Sequence, residues 1–94
     1  MKLITKAIEA KLRKSPLYSH EGDSNPAIIV KFFNPYGRGT WIVYEAERQA
    51  DGDWLFFGEV TLFDTEWGYF TLSELQGLRT RWGAPMIERD LYFS

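Results

Sequence analysis

Ile4, Ala7, Ile8 and Leu12 recur at intervals of three and four residues, which sets them on one stripe of a helix. Thr5 can cap the start of that helix by accepting a backbone N–H. Lys11, Arg13 and Lys14 suit the negative end of its dipole. Pro16 disfavours helical backbone at Ser15, so the helix is expected to stop there. Residues 19–26 are polar and read as a loop. Ala27–Phe33 is apolar at successive positions, which fits a strand covered on both faces and therefore inside a sheet. Asn34–Gly39 is rich in residues that fix or free φ, so it reads as a turn.

Thr40–Glu47 and Trp54–Phe63 flank Asp51-Gly52, a hairpin signal. With Asp51-Gly52 as a two-residue turn, Trp41 faces Leu62, Val43 faces Val60, Glu45 faces Gly58 and Glu47 faces Phe56. The other face then pairs Ile42 with Thr61, Tyr44 with Glu59 and Ala46 with Phe57. Trp41, Val43, Val60 and Leu62 would pack into the core. A longer loop would shift this register, and a slip of one residue would exchange the faces. Asp64–Glu66 reads as a second turn and Trp67–Thr71 as a strand. Ser73 and Gln76 fit a capping box. Leu72, Leu75, Leu78 and Trp82 continue at near-helical spacing, in a helix that Gly77 keeps short. Gly83-Ala84-Pro85 breaks it. Met86–Phe93 reads as a last strand, with Ile87, Arg89, Leu91 and Phe93 on one face. The pattern predicts a single α+β domain over residues 1–94. Its curved antiparallel sheet has about four to five strands, an N-terminal helix, and a short helix before the last strand.

The absence of cysteine excludes disulfides, zinc–thiolate sites and thiol catalysis. Aromatic residues make up 17% of the chain, and such large rings help a short sequence assemble a core. No apolar run is long enough to span a bilayer, and the first residues lack a signal-peptide pattern. A cytoplasmic protein without a membrane partner is expected. The net charge is −2, but its distribution is uneven. Lys2, Lys6, Lys11, Arg13 and Lys14 crowd the start. Glu45, Glu47, Asp51, Asp53, Glu59, Asp64 and Glu66 crowd the hairpin against Arg48 alone.

Candidate chemistry is sparse. His20, the one histidine, sits in the polar loop with no nucleophile motif beside it. The hairpin carboxylates lack the spacing of a calcium loop, and in the simplest register Glu59 points away from Glu45 and Glu47. Gly37-Arg38-Gly39 lacks the Lys-Ser or Lys-Thr of a phosphate loop. Trp41, Trp54, Phe56, Phe57, Phe63, Trp67, Tyr69 and Phe70 could stack bases, but the interleaved carboxylates would repel phosphate, so most of these rings are assigned to the core. No catalytic residue, cofactor or metal site is predicted.

Several segments form a familiar series: Val30–Pro35, Thr40-Trp41, Asp51–Asp53, Phe56–Gly58, Gly68–Leu75 and Ile87–Phe93. In these the chain resembles, from Leu3 to Phe93, a family of small uncharacterised bacterial proteins, a domain of unknown function carried on plasmids and integrating elements. The resemblance implies a bacterial cytoplasm and a mobile genetic element; it brings no established activity and no assigned catalytic residues.

The expected function is that of a non-catalytic inhibitor with an anti-defence role, anti-CRISPR-like or antirestriction-like. It would bind a host protein or ribonucleoprotein complex through acidic residues, since complementary charge selects partners. The expected contacts are Glu45, Glu47, Asp51, Asp53, Glu59, Asp64 and Glu66, with Trp54 or Trp67 as an aromatic anchor. Reversing Glu45, Glu47, Asp51 and Asp53 to lysine is expected to abolish inhibition and spare the fold. The alternative is a nucleic-acid-binding accessory of plasmid replication, transfer or regulation, using Lys6, Lys11, Arg13, Lys14, Arg79 and Arg81. A third reading is a homo-oligomer paired through strand Met86–Phe93.

Overall fold

Thr5 starts the first helix, its hydroxyl accepting from the Ile8 amide at 3.2 Å. The helix α1 (Lys6–Arg13) buries Ile8 and Leu12, four residues apart and so on one face. Ala7, expected on that stripe, is exposed. Burying two such side chains contributes roughly 1.5–3 kcal/mol each. The computed structural model describes residues 2–19, 22 and 27–91. His20 and most of the expected 19–26 loop lie outside the described residues, as do Tyr92 and Phe93.

The strands are β1 (Val30–Phe33), β2 (Thr40–Arg48), β3 (Trp54–Thr61), β4 (Thr65–Thr71) and β5 (Glu88–Arg89). A second helix, α2 (Leu72–Gly77), follows β4. The sheet has the order β4-β3-β2-β1-β5, and every pairing is antiparallel. The α+β architecture and its element order are those the sequence predicts. β1 is shorter than expected but does lie inside the sheet, between β2 and β5.

The hairpin register differs from the two-residue-turn reading. The loop runs from Gln49 to Asp53, closed by Gln49 N–H to Asp53 C=O at 2.8 Å and Gly52 N–H to Gln49 C=O at 3.0 Å. Arg48 therefore pairs with Trp54 and Ala46 with Phe56. A β-bulge between Val43 and Glu45 shifts the register again, so that Val43 pairs with Gly58 and Trp41 with Val60. An extra residue in one strand turns its side chains over. Trp41 and Val43 keep the core face, but beyond the bulge Ala46 takes it, and Glu45 and Glu47 move to the opposite face. Leu62, expected in the core, is exposed past the end of β3.

One face of the sheet carries the core: Val30, Phe32, Trp41, Val43, Ala46, Trp54, Phe56 and Phe70 pack with Leu3, Ile8, Leu12, Leu75 and Ile87. Phe56 is its centre, with ring centroids 6.0 Å from Phe32 and 5.5 Å from Phe70. α1 lies over β2, and α2 lies against β3 and β4. The cap of α2 is Thr71, which accepts from the Glu74 amide at 3.1 Å. The capping pair is thus Thr71 with Glu74, two residues before the Ser73–Gln76 pair read from sequence. Both pairs have the required spacing, and the end of β4 selects the earlier one. Leu78 is already extended, which leaves Leu78 and Trp82 outside the helix and exposed. Among the described residues of the expected last strand, Glu88 and Arg89 pair with β1, the Asp90 amide donates to Lys31 C=O at 2.9 Å, and Leu91 is exposed.

Candidate functional site

No described helix packs on the second face of the sheet. Leu55, Phe57 and Glu59 of β3 alternate onto it, and cross-strand pairing brings Trp67 opposite Glu59 and Tyr69 opposite Phe57. From β2 come Ile42, Glu45 and Glu47. Tyr44 joins them from the bulge: its ring centroid lies 5.0 Å from that of Trp67. Phe57 stacks on Trp67 at 5.7 Å and meets Tyr69 at 5.0 Å. The result is a continuous aromatic cluster outside the core.

Two carboxylates organise this cluster. Tyr44 donates its hydroxyl to Glu59 Oε1 at 2.9 Å. Burial, reinforced by the neighbouring Glu59 carboxylate, pushes the Tyr44 phenol up to about 12. Glu45 is only 6% exposed, and its Oε1 accepts from the Tyr18 amide at 2.8 Å. Tyr18 has φ of 69°, a left-handed conformation uncommon for a residue with a side chain. This places the Tyr18 hydroxyl 3.5 Å from that of Tyr69. Tyr18, Trp67 and Tyr69 are 67%, 55% and 52% exposed, so three large rings of one patch face solvent. Contiguous exposed aromatic surface of this kind marks interaction sites more often than scattered apolar residues do.

The acidic residues expected to act together are divided by the fold. Glu45, Glu47 and Glu59 share the outer face with Trp67; the bulge overturns the reading that Glu59 points away from the other two. Asp51 sits at the hairpin tip, accepting from the Asp53 amide at 2.9 Å. Asp53 ties the hairpin to α2. Its carboxylate accepts from Trp54 N–H at 2.8 Å and from Ser73 through both N–H at 3.1 Å and the hydroxyl. Burial works upward on that carboxyl, but these hydrogen bonds outweigh it and hold it below the usual value. Trp54 is 3% exposed and belongs to the core, so it cannot anchor a partner. Asp64 is exposed at the far end of the hairpin, and Glu66, paired with Val60, lies on the helix side. Of the rings assigned mostly to the core, Trp41, Trp54, Phe56 and Phe70 are there, whereas Phe57, Trp67 and Tyr69 are on the outer face and Phe63 is exposed at a turn.

Tyr18 and Tyr44 were not legible as part of a site. The alternations Phe57-x-Glu59 and Trp67-x-Tyr69 carried a signal, since each pair must share a face. Among the described residues, no three of His, Cys, Asp and Glu are placed to hold a metal ion. No described helix is long and apolar enough to cross a membrane.

The family model described as "Protein of unknown function (DUF2958)" matches residues 3–94. The chain belongs to that family. No curated protein and no solved structure matches it.

In this family member the basic residues are also divided. Lys6 and Arg79 line a groove of about 660 Å³ on the helix side, together with Lys2 and Arg48. Lys11, Arg13, Lys14 and Arg81 are exposed but lie outside its lining. Glu9, also in the groove, accepts from Arg13 at 2.6 Å and Arg48 at 3.1 Å. The Arg13 hydrogen bond is the main reason its carboxyl lies below the usual value. Arg48 also covers the Trp54 ring, at 5.2 Å from its centroid.

Proposed function

We propose that this protein acts by binding rather than by catalysis, docking the outer sheet face onto a basic surface of a partner protein. The observation that carries this reading is the uncovered cluster of Tyr18, Phe57, Trp67 and Tyr69 beside Glu47 and Glu59, with Glu45 buried beneath Tyr18. Rings of this kind supply contact area at little cost in side-chain entropy, while carboxylates steer encounter and reject acidic competitors. The mobile-element setting implied by the family resemblance fits a host-defence nuclease complex as the partner, since such complexes hold nucleic acid in basic channels. The proposed role is that of an anti-defence inhibitor, anti-CRISPR-like or antirestriction-like. Aromatic residues dominate binding energy at many interfaces, so Trp67 is the proposed anchor.

The test is affinity capture from host lysate, followed by binding measurements with the identified partner. Recovery of a nuclease complex is expected, with capture lost in a Trp67→Ala/Tyr69→Ala double variant. Both side chains are more than half exposed, and circular dichroism checks that the variant keeps its fold. Capture that is equally strong with the double variant would remove the outer face from consideration.

A further inference from the structure

The helix-side groove is chemically unlike the rest of this acidic protein. Its lining carries four cationic side chains, Lys2, Lys6, Arg48 and Arg79, against the single carboxylate of Glu9. That carboxylate is already engaged by two guanidinium groups, one of them Arg13 from outside the groove. Arg48 is held by Glu9 and by the Trp54 ring. Lys2, Lys6 and Arg79 are left to define the field, and all three are exposed. The start of α1 adds to it, because Thr5 and Lys6 bring the positive end of the helix dipole to the same wall. The lining also carries the apolar side chains of Leu72, Leu75, Pro85 and Ile87, beside the polar Thr5 and Gln76. A volume near 660 Å³ falls within the range of small-ligand pockets, although this groove is open on one side.

Cations beside apolar side chains in one groove fit a molecule with an anionic end and a less polar body. We propose that this groove is a second binding site, for a phosphate ester of nucleotide size. Lys2, Lys6 and Arg79 hold the phosphate, and Leu72, Leu75 and Ile87 lie under the base. Arginine and lysine are suited to this because phosphate oxygens accept several charge-assisted hydrogen bonds at once. The groove and the outer aromatic face lie on opposite sides of the sheet, so this site does not depend on the reading given above. The same chemistry is offered by a free nucleotide and by a nucleic-acid strand.

Isothermal titration calorimetry with ATP and with a short oligo-dT strand tests the site and separates these sources. Saturable binding is expected, weakened about tenfold or more by Lys6→Glu and by Arg79→Glu, and kept by Lys6→Arg. Tighter binding of ATP assigns the groove to free nucleotides. Tighter binding of the strand, with affinity falling steeply in salt, assigns it to a nucleic-acid backbone. Trp67→Ala, on the far side of the sheet, is expected to bind like the wild type. The proposal is overturned if neither probe gives saturable heat. It is also overturned if a folded Lys6→Glu/Arg79→Glu variant binds as tightly as the wild type, or if Trp67→Ala abolishes binding.

Discussion

Gly58 illustrates how a single residue makes the outer face possible. Next to the bulge at Tyr44, the Ile42 backbone carbonyl lies so close to β3 that a Cβ at position 58 would overlap its oxygen. Backbone cannot move aside as a flexible side chain can. Gly58→Ala is therefore expected to destabilise the fold by about 1–3 kcal/mol or more, read as a lower urea midpoint with an unchanged slope. Tyr44, carried outward by the same bulge, titrates with a folded value near 12 against 10.0 unfolded. The folded chain favours the neutral phenol, so the unfolded chain loses its proton first as pH rises. The resulting stabilisation is complete below pH 10 and is lost as pH climbs from 10.0 to about 12. Comparing thermal melts of wild type and Tyr44→Phe across that window checks this, the variant showing the shallower fall. Glu45 and Glu47 are two residues apart on one face of β2, with opposite consequences. Lysine at buried position 45 would leave the Tyr18 amide without its acceptor and bury a cation, costing more than about 2 kcal/mol. Lysine at exposed position 47 should change stability by no more than about 0.5 kcal/mol. The fourfold charge reversal expected from sequence to spare the fold is thus a test of folding as much as of binding.

At the scale of elements, α2 is too short to be stable on its own, and two polar contacts hold its start. Thr71 caps it, and the Asp53 carboxylate reaches from the hairpin loop to Ser73. Thr71→Ala is expected to cost about 1 kcal/mol, in line with other cap deletions. The Asp53 carboxyl lies below its ordinary value of 3.8 in the folded chain. Its stabilising contribution is present above that unfolded value and disappears as pH falls through the lower folded one. Asp53→Asn should therefore melt earlier than wild type near neutral pH and converge with it in strong acid. Denaturation curves at the two pH values decide this.

For the molecule as a whole, the sheet separates two surfaces of different character. The helix side holds the core and the cationic groove, whereas the outer side presents rings and carboxylates. The proposed docking through the outer face should weaken as salt rises, because charge complementarity is screened over about 10 Å at moderate ionic strength. Measuring partner affinity over a salt series for wild type and Glu47→Lys checks this, the variant expected to show both weaker binding and a flatter slope.

Periodicity alone determined most of the elements, because a helix or strand that must bury one face repeats its apolar residues at its own period. Ile8 and Leu12 marked α1, and the Asp51-Gly52 pair between two apolar stretches marked β2 and β3. Charge runs identified which stretches were acidic and which basic, but not which charges meet. Tertiary structure decided that by inserting the Tyr44 bulge, which moved Glu45 and Glu47 beside Glu59, and by committing Asp53 to α2 and Trp54 to the core. It also brought Lys2 and Lys6 to Arg79 from the other end of the chain. The physical reason is that local pattern records which face a residue prefers, while register, bulges and long-range packing choose its neighbours.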